Sequence, residues 1–140
     1  MIVDVDNKQD SLEISEEFIR KVVSEVLDTE GCVCNEVALY FVDVKEISNL
    51  HEQFFDDPSP TDCISFPMDD DEILGEVFVC PQVAIEYAQE HSLDPHQEMT
   101  LYVVHGLLHL LGYDDIEEKD IVVMRQAEQR HMQNLFGEKC

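Results

Sequence analysis

The order in which strand-like and helix-like segments follow one another predicts an α+β fold, a mixed sheet of about four strands with helices packed against it and a histidine-bearing helix near the C-terminal third. Three observations carry this expectation. The segments read β, α, β, α, β, β, α, α, α, so that two adjacent strands form a hairpin and the others are separated by helices. The 140 residues are 44% hydrophobic, ordinary for a globular chain able to bury a core without staples, so residues 1–140 are expected to form a single domain. The stretch from about Gln97 to Leu111 has no Pro or Gly before Gly106 and enough Leu, Val, Met and Tyr to read as a mostly buried helix.

Each element has its own signal. Ile2 to Val5 alternates as a short strand. Ser15 precedes Glu16 and Glu17, an N-cap followed by acids that complement the helix dipole. Phe18, Ile19, Val22, Val23, Val26 and Leu27 then form the buried stripe of a helix that ends before Gly31. Val37 to Val44 is β-branched and aromatic, a well-buried strand. A short helix from about Val44 to Phe55 is expected to turn Ile47, Leu50, Phe54 and Phe55 inward, and Asp57-Pro58-Ser59-Pro60 ends it as a rigid loop.

Cys63 to Phe66 and Glu76 to Cys80 read as two strands joined by the acidic loop Asp69-Asp70-Asp71-Glu72, which lacks EF-hand spacing and reads as a solvated hairpin tip. Pro81 opens a helix to about Glu90 with Val83, Ala84, Tyr87 and Ala88 inward, and Asp94-Pro95 starts the histidine helix in the same manner. A last helix runs from about Ile116 to Phe136, with Val122, Val123, Ala127 and Leu135 among its expected buried positions.

Bulk properties narrow the function. No apolar run approaches the ~20 residues that span a bilayer, and Met1-Ile2-Val3-Asp4 lacks the basic start of a signal peptide, so neither a membrane nor export is expected. Five cysteines, at 32, 34, 63, 80 and 140, have no framework spacing and suit a reducing cytoplasm. Cys32 and Cys34 read as loop residues, since no second Cys/His pair completes a tetrahedral set. The net charge is −24, and from Glu46 to Glu118 there are 18 Asp and Glu with no Lys or Arg. Such a surface repels phosphate backbones, so positive charge near a site in this span has to come from a metal, from backbone N–H groups or from residues outside it such as Arg20, Lys21, Lys45 and Arg125. Alternatively, the acidic surface docks on a basic partner.

The chemistry concentrates in His105-Gly106-Leu107-Leu108-His109-Leu110-Leu111-Gly112-Tyr113-Asp114-Asp115. Two histidines four apart lie one turn apart on one helix face, so both imidazoles can reach a single ion. Gly112 stops the helix, and the reversal can carry Asp114 or Asp115 back toward that ion. His-x3-His-x5-Asp supplies two nitrogens and one oxygen, a tetrahedral Zn²⁺-type site with an open fourth position. Asp115-Ile116-Glu117-Glu118 also fits an N-cap with Glu at N3, a rival role for Asp115.

This stretch resembles the signature His-Gly-x-Leu-His-Leu-x-Gly-Tyr-Asp-His of the YbeY proteins, bacterial metal-dependent endoribonucleases of ribosomal RNA maturation and ribosome quality control. Ten of its eleven positions agree. Pro60-Thr61-Asp62-Cys63-Ile64-Ser65-Phe66-Pro67 is similar to the family's Pro-Thr-Asp-Val-Leu-Ser-Phe-Pro, and Leu74-Gly75-Glu76 to its Leu-Gly-Asp. Met124 and Glu128 stand where the family has them, so the resemblance runs from about Val37 to Phe136. Two positions depart: Asp115 replaces the family's third histidine ligand, and Phe55 replaces an arginine taken to contact RNA phosphate.

The resemblance implies a cytoplasmic enzyme that cleaves single-stranded RNA in 16S ribosomal RNA maturation, with ribosomal RNA and small-subunit proteins as partners. The implied cofactor is one divalent metal on His105, His109 and Asp115, with Zn²⁺ the first choice. A carboxylate in the third place lowers the charge of the site and moves preference modestly toward harder ions such as Mn²⁺. Thr61, Asp62 and Ser65 are candidate wall residues, and Glu76 and Asp114 candidate general bases, with no base assigned. Two other readings stay open: a non-enzymatic ribosome assembly factor with a structural metal, and a metallohydrolase of another substrate. Peptide hydrolysis of the His-Glu-x-x-His kind is disfavoured because Gly106 follows the first histidine.

Overall fold

In the computed structural model, residues 2–70 and 72–137 are described. Met1, Asp71 of the hairpin loop and Cys140 lie outside them. The elements are β1 (Ile2–Asn7), α1 (Glu16–Thr29), β2 (Glu36–Phe41), α2 (Val44–Phe55), β3 (Cys63–Pro67), β4 (Ile73–Val79), α3 (Pro81–His91), α4 (Pro95–Leu110) and α5 (Glu118–Phe136). The four strands form one sheet in the order β1-β2-β4-β3. β1 and β2 run parallel, as do β2 and β4, whereas β3 pairs antiparallel with β4 through a hairpin. The expected mixed α+β sheet is present, and no helix of the described residues is long and apolar enough to cross a membrane.

Strand alternation sorts the core into two unequal layers. Val37, Leu39 and Phe41 of β2 with Val77 and Val79 of β4 face one side, where they meet Ile19, Val22, Val23 and Val26 of α1 and the buried side of α4. The opposite face carries a smaller cluster, Val42, Ile47, Ile64 and Cys80, with Tyr40, Phe66 and Phe78 packed against it. Helix starts follow local chemistry: Ser15 Oγ accepts the Phe18 N–H, Asp43 Oδ1 the Glu46 N–H, and Asp94 Oδ1 those of His96 and Gln97.

α4 is the central helix, touching β3, β4, α1, α3 and α5. Ten of its sixteen residues are buried, so it has almost no polar face. Gly106 lets it lie this close to the sheet: a Cβ there would come within 2.5 Å of Val77 Cγ1 and 3.2 Å of Ser65 Oγ. Ser65, on the edge strand, donates its hydroxyl hydrogen to the Gly106 carbonyl at 2.9 Å and pins the same point.

Several expected inward residues are instead exposed. Phe54 and Phe55 are 53% and 55% exposed, because α2 covers the minor face alone and its last turn has little core beneath it. Tyr87 stacks on His91 at the surface, with centroids 4.1 Å apart. On α5 the buried stripe is Met124, Ala127, Glu128 and His131 rather than one through Val122 and Val123, which are about half exposed. Polar residues satisfied by ion pairs took the inward positions there.

Replacing Gly106 with Ala should destabilise the protein by about 1 to 3 kcal/mol through overpacking, read as a lower urea midpoint with an unchanged m-value. A midpoint equal to wild type would show that α4 can move off the sheet freely.

Candidate metal centre

α4 ends at Leu110 with Leu111 as its C-cap, and Gly112 takes φ 104°, the left-handed backbone expected of a helix stop. Tyr113 N–H donates to the Leu108 carbonyl at 3.0 Å and closes the turn. The chain then reverses and returns Asp115 to the histidine face. Asp115 Oδ2 lies 3.5 Å from His105 Nε2 and 3.5 Å from His109 Nε2, and the two nitrogens are 3.0 Å apart. Ligands about 2.0 to 2.2 Å from a tetrahedral ion stand about 3.3 to 3.6 Å from one another, so the two edges to Asp115 match such an ion and the nitrogen–nitrogen edge is about 0.3 Å short of it. Among the described residues this triangle is the one group of three His, Cys, Asp or Glu gathered within ligand reach; Cys32 and Cys34 collect no such set.

The proton assignment points the same way. His105 Nδ1 faces Glu128 Oε2 at 2.5 Å and His109 Nδ1 faces the Tyr113 carbonyl at 3.0 Å. Both partners are acceptors, so each ring donates from Nδ1 and turns an Nε2 lone pair toward the centre. Two lone pairs and a carboxylate oxygen within 3.5 Å of one another could hold a cation. Burial pulls the His105 pKa down, but the hydrogen bond and charge of Glu128, with Asp62 and Asp115 behind it, outweigh burial and raise it. Glu128 is itself buried, which raises its pKa, yet His105 and Arg125 together hold it below the usual range. Arg125 donates to its other oxygen at 2.9 Å. The capping role for Asp115 is not realised, since α5 begins after Glu117 and Asp115 N–H donates to Asp114 Oδ1.

A second network holds the turn. Tyr113 donates its hydroxyl hydrogen to Glu30 Oε1 at 2.8 Å, and His131 Nε2 and Arg130 meet Glu30 Oε2 at 2.6 and 3.3 Å. The Tyr113 ring is thereby tied to α1 and α5 while its carbonyl orients His109. Burial raises the Glu30 pKa, but the bonds from His131, Tyr113 and Arg130 prevail and lower it. Glu30 and His131 escaped the sequence reading, and Tyr113 stands in it as part of the histidine stretch without this tether. The available signal was the spacing of Glu128 and His131 on the stripe that begins at Met124 and Ala127.

Two open clefts meet at the histidine pair. One, of about 450 Å³, is lined by His109, Asp114 and Asp115 together with Thr61, Ser65 and Phe55. The other, of about 510 Å³, is lined by His105 and Asp115 with Thr61, Asp62, Glu128 and Arg125. Thr61, Asp62 and Ser65 are therefore wall residues, and Asp62 also turns the chain into β3 by accepting the Cys63 N–H at 2.7 Å. Glu76 is not near the site: on β4 it is the neighbour of Val77 on the opposite face and accepts from Tyr40 at 3.3 Å.

Two measurements test this arrangement. Asp115→Asn should keep the fold and lose most of the bound metal, because Asn is a far poorer ligand; unchanged occupancy by elemental analysis would put the third ligand elsewhere. Glu30, with its pKa depressed, contributes stability above its unfolded pKa that is lost as pH falls through the folded value. Glu30→Gln should therefore flatten the acid limb of the stability profile below about pH 4.5, whereas a parallel downward shift at every pH would assign it a packing role alone.

A family model described as Endoribonuclease YbeY matches residues 4–136. The protein named Endoribonuclease YbeY of Protochlamydia amoebophila is 54% identical over 140 residues, covering 96% of this chain and 93% of its own. Those of Finegoldia magna and Chlamydia trachomatis serovar D are each 34% identical, covering 96% and 89% of this chain and 94% and 81% of their own. The solution structure of TM1509 from Thermotoga maritima superposes with a TM-score of 0.71 at 26% identity, over 96% of this chain and 89% of that one. The His-Gly-Leu-Leu-His helix, the Pro-Thr-Asp strand entry and these matches along nearly the whole length place the chain in the YbeY family.

Proposed function

We propose that the protein is a metal-dependent endoribonuclease that cuts single-stranded RNA in the maturation of 16S ribosomal RNA, acting in the cytoplasm among small-subunit proteins. The observation that carries the reading is the convergence of His105 Nε2, His109 Nε2 and Asp115 Oδ2 where two open clefts meet. When bound, a divalent ion supplies Lewis-acid polarisation of a phosphoryl oxygen and a water acidified toward neutrality, so hydrolysis is the reaction class. Zn²⁺ is the first choice for two imidazoles and an oxygen, with the carboxylate moving preference toward Mn²⁺.

The chain's own residues prepare the site. Glu128 and the Tyr113 carbonyl hold protons on the Nδ1 atoms, which keeps both Nε2 atoms aimed inward. Among the described residues Arg125, anchored on Glu128, is the one Lys or Arg lining either cleft and can meet a phosphate oxygen beside His105. Peptidase chemistry lacks its base: Gly106 follows His105, and its Cα faces Val77 so closely that no side chain fits.

Metal-loaded wild type should cleave a structured RNA with unpaired loops, and His109→Ala, purified free of contaminating nuclease, should not. Equal rates in the two would sink the nuclease reading. Affinity for single-stranded RNA should fall only weakly with salt. Its logarithmic slope should lie well short of the roughly −4 to −7 given by about 6 to 10 phosphate contacts, and a steep slope measured by anisotropy would show that the binding face lies elsewhere.

A further inference from the structure

The wall opposite Arg125 has a different chemistry. Phe55, at the last turn of α2, is 55% exposed and lines the cleft that holds His109 and Asp115. Its neighbour Phe54 packs edge-on against Phe66 of the sheet at 4.8 Å. Phe55 instead meets His51, with centroids 5.6 Å apart at 53°. His51 is held in place by Nδ1, which donates to the Ser59 carbonyl at 2.8 Å. Ile116, 81% exposed, lines the same cleft. An open cleft beside a hydrolytic centre thus keeps two large apolar side chains in water and, among the described residues, contains no Lys or Arg, while Asp114 and Asp115 give it negative charge.

That lining repels a phosphate and suits a flat, uncharged, π-faced group. Resting on the nuclease reading above, we propose that Phe55, with His51 behind it, is a stacking platform for one unpaired nucleobase next to the scissile phosphate. The phosphate itself is directed to the Arg125 side. Because the ligand triad borders both clefts, a base on Phe55 and a phosphate near Arg125 flank the same point, as adjacent parts of one strand do. A base can lie on an aromatic ring only when it is free of its partner strand, so the platform selects single-stranded RNA and is tolerant of base identity. It also grips the substrate without fixed cations, which the acidic surface withholds.

The chain contains no Trp, so Phe55→Trp installs a unique fluorophore at the platform. The metal-loaded variant would be titrated with a cleavage-resistant single-stranded 2′-O-methyl phosphorothioate RNA, with the same strand carrying abasic riboses, and with the duplex. Expected is quenching of the indole by the intact single strand and little or none by the other two. Phe55→Ala should weaken single-strand binding roughly 5- to 100-fold, with Phe55→Tyr close to wild type and both retaining the wild-type circular dichroism and metal content. Equal quenching by abasic RNA, undiminished binding in Phe55→Ala, or no RNA-dependent quenching at all would overturn the proposal, the last assigning the patch to an apolar protein partner. Base-dependent quenching in a protein that never cleaves RNA would retain the platform while removing the nuclease reading, so the two fail separately.

Discussion

The closeness of α4 to the sheet is the constraint on which the rest depends. At Gly106 the helix backbone rests on Val77, and Ser65 ties the Gly106 carbonyl to the edge strand. A helix held this tightly has no freedom to roll, so His105 and His109, one residue before and three after the contact, are aimed by the core itself. The buried leucines and valines around them leave one open direction, toward the returning turn and the two clefts. Fixing ligands on a rigid element, with their outer nitrogens bonded, lowers the reorganisation needed when an ion binds.

The second consequence concerns charge. In a chain of net charge −24, the basic side chains close to the site are bonded to specific carboxylates: Arg125 to Glu128, Arg130 and His131 to Glu30. Each buried carboxylate would be costly alone and is offset by the partners it orients. Glu128 links His105 to Arg125, and Glu30 links the Tyr113 turn to α5, so polar bonds reaching α5 add to the core packing that aims both histidines. Asp115 adds one more carboxylate beside the histidine pair.

The clefts on the two sides of the triad differ because different segments of the chain build them. α5 brings Arg125 and Glu128 to one, and the last turn of α2 with the end of the α4–α5 turn brings Phe55 and Ile116 to the other. An exposed aromatic platform and a single anchored guanidinium are together a way to hold a strand of RNA with little net positive charge.

Much of this was legible in the residues alone. Local signals determined the elements: Ser15 and Asp94 as caps, Pro81 and Pro95 at first helical turns, alternation in Ile2 to Val5, and Gly112 with its positive φ at the end of the histidine helix. The histidine pair followed from helical spacing, which is a property of one element. What only the tertiary structure decided was every relation between elements. Asp115 had two local roles open to it, cap or ligand, and the path of the turn after Gly112 selected proximity to the histidines. Val122 and Val123 are as apolar as any core residue, yet α5 turns Glu128 and His131 inward, because His105 and Glu30 wait there to bond them. Phe54 and Phe55 read as core by spacing, but burial needs an opposing surface, and the face of the sheet beneath the end of α2 supplies one for Phe54 only in part and leaves Phe55 to the cleft.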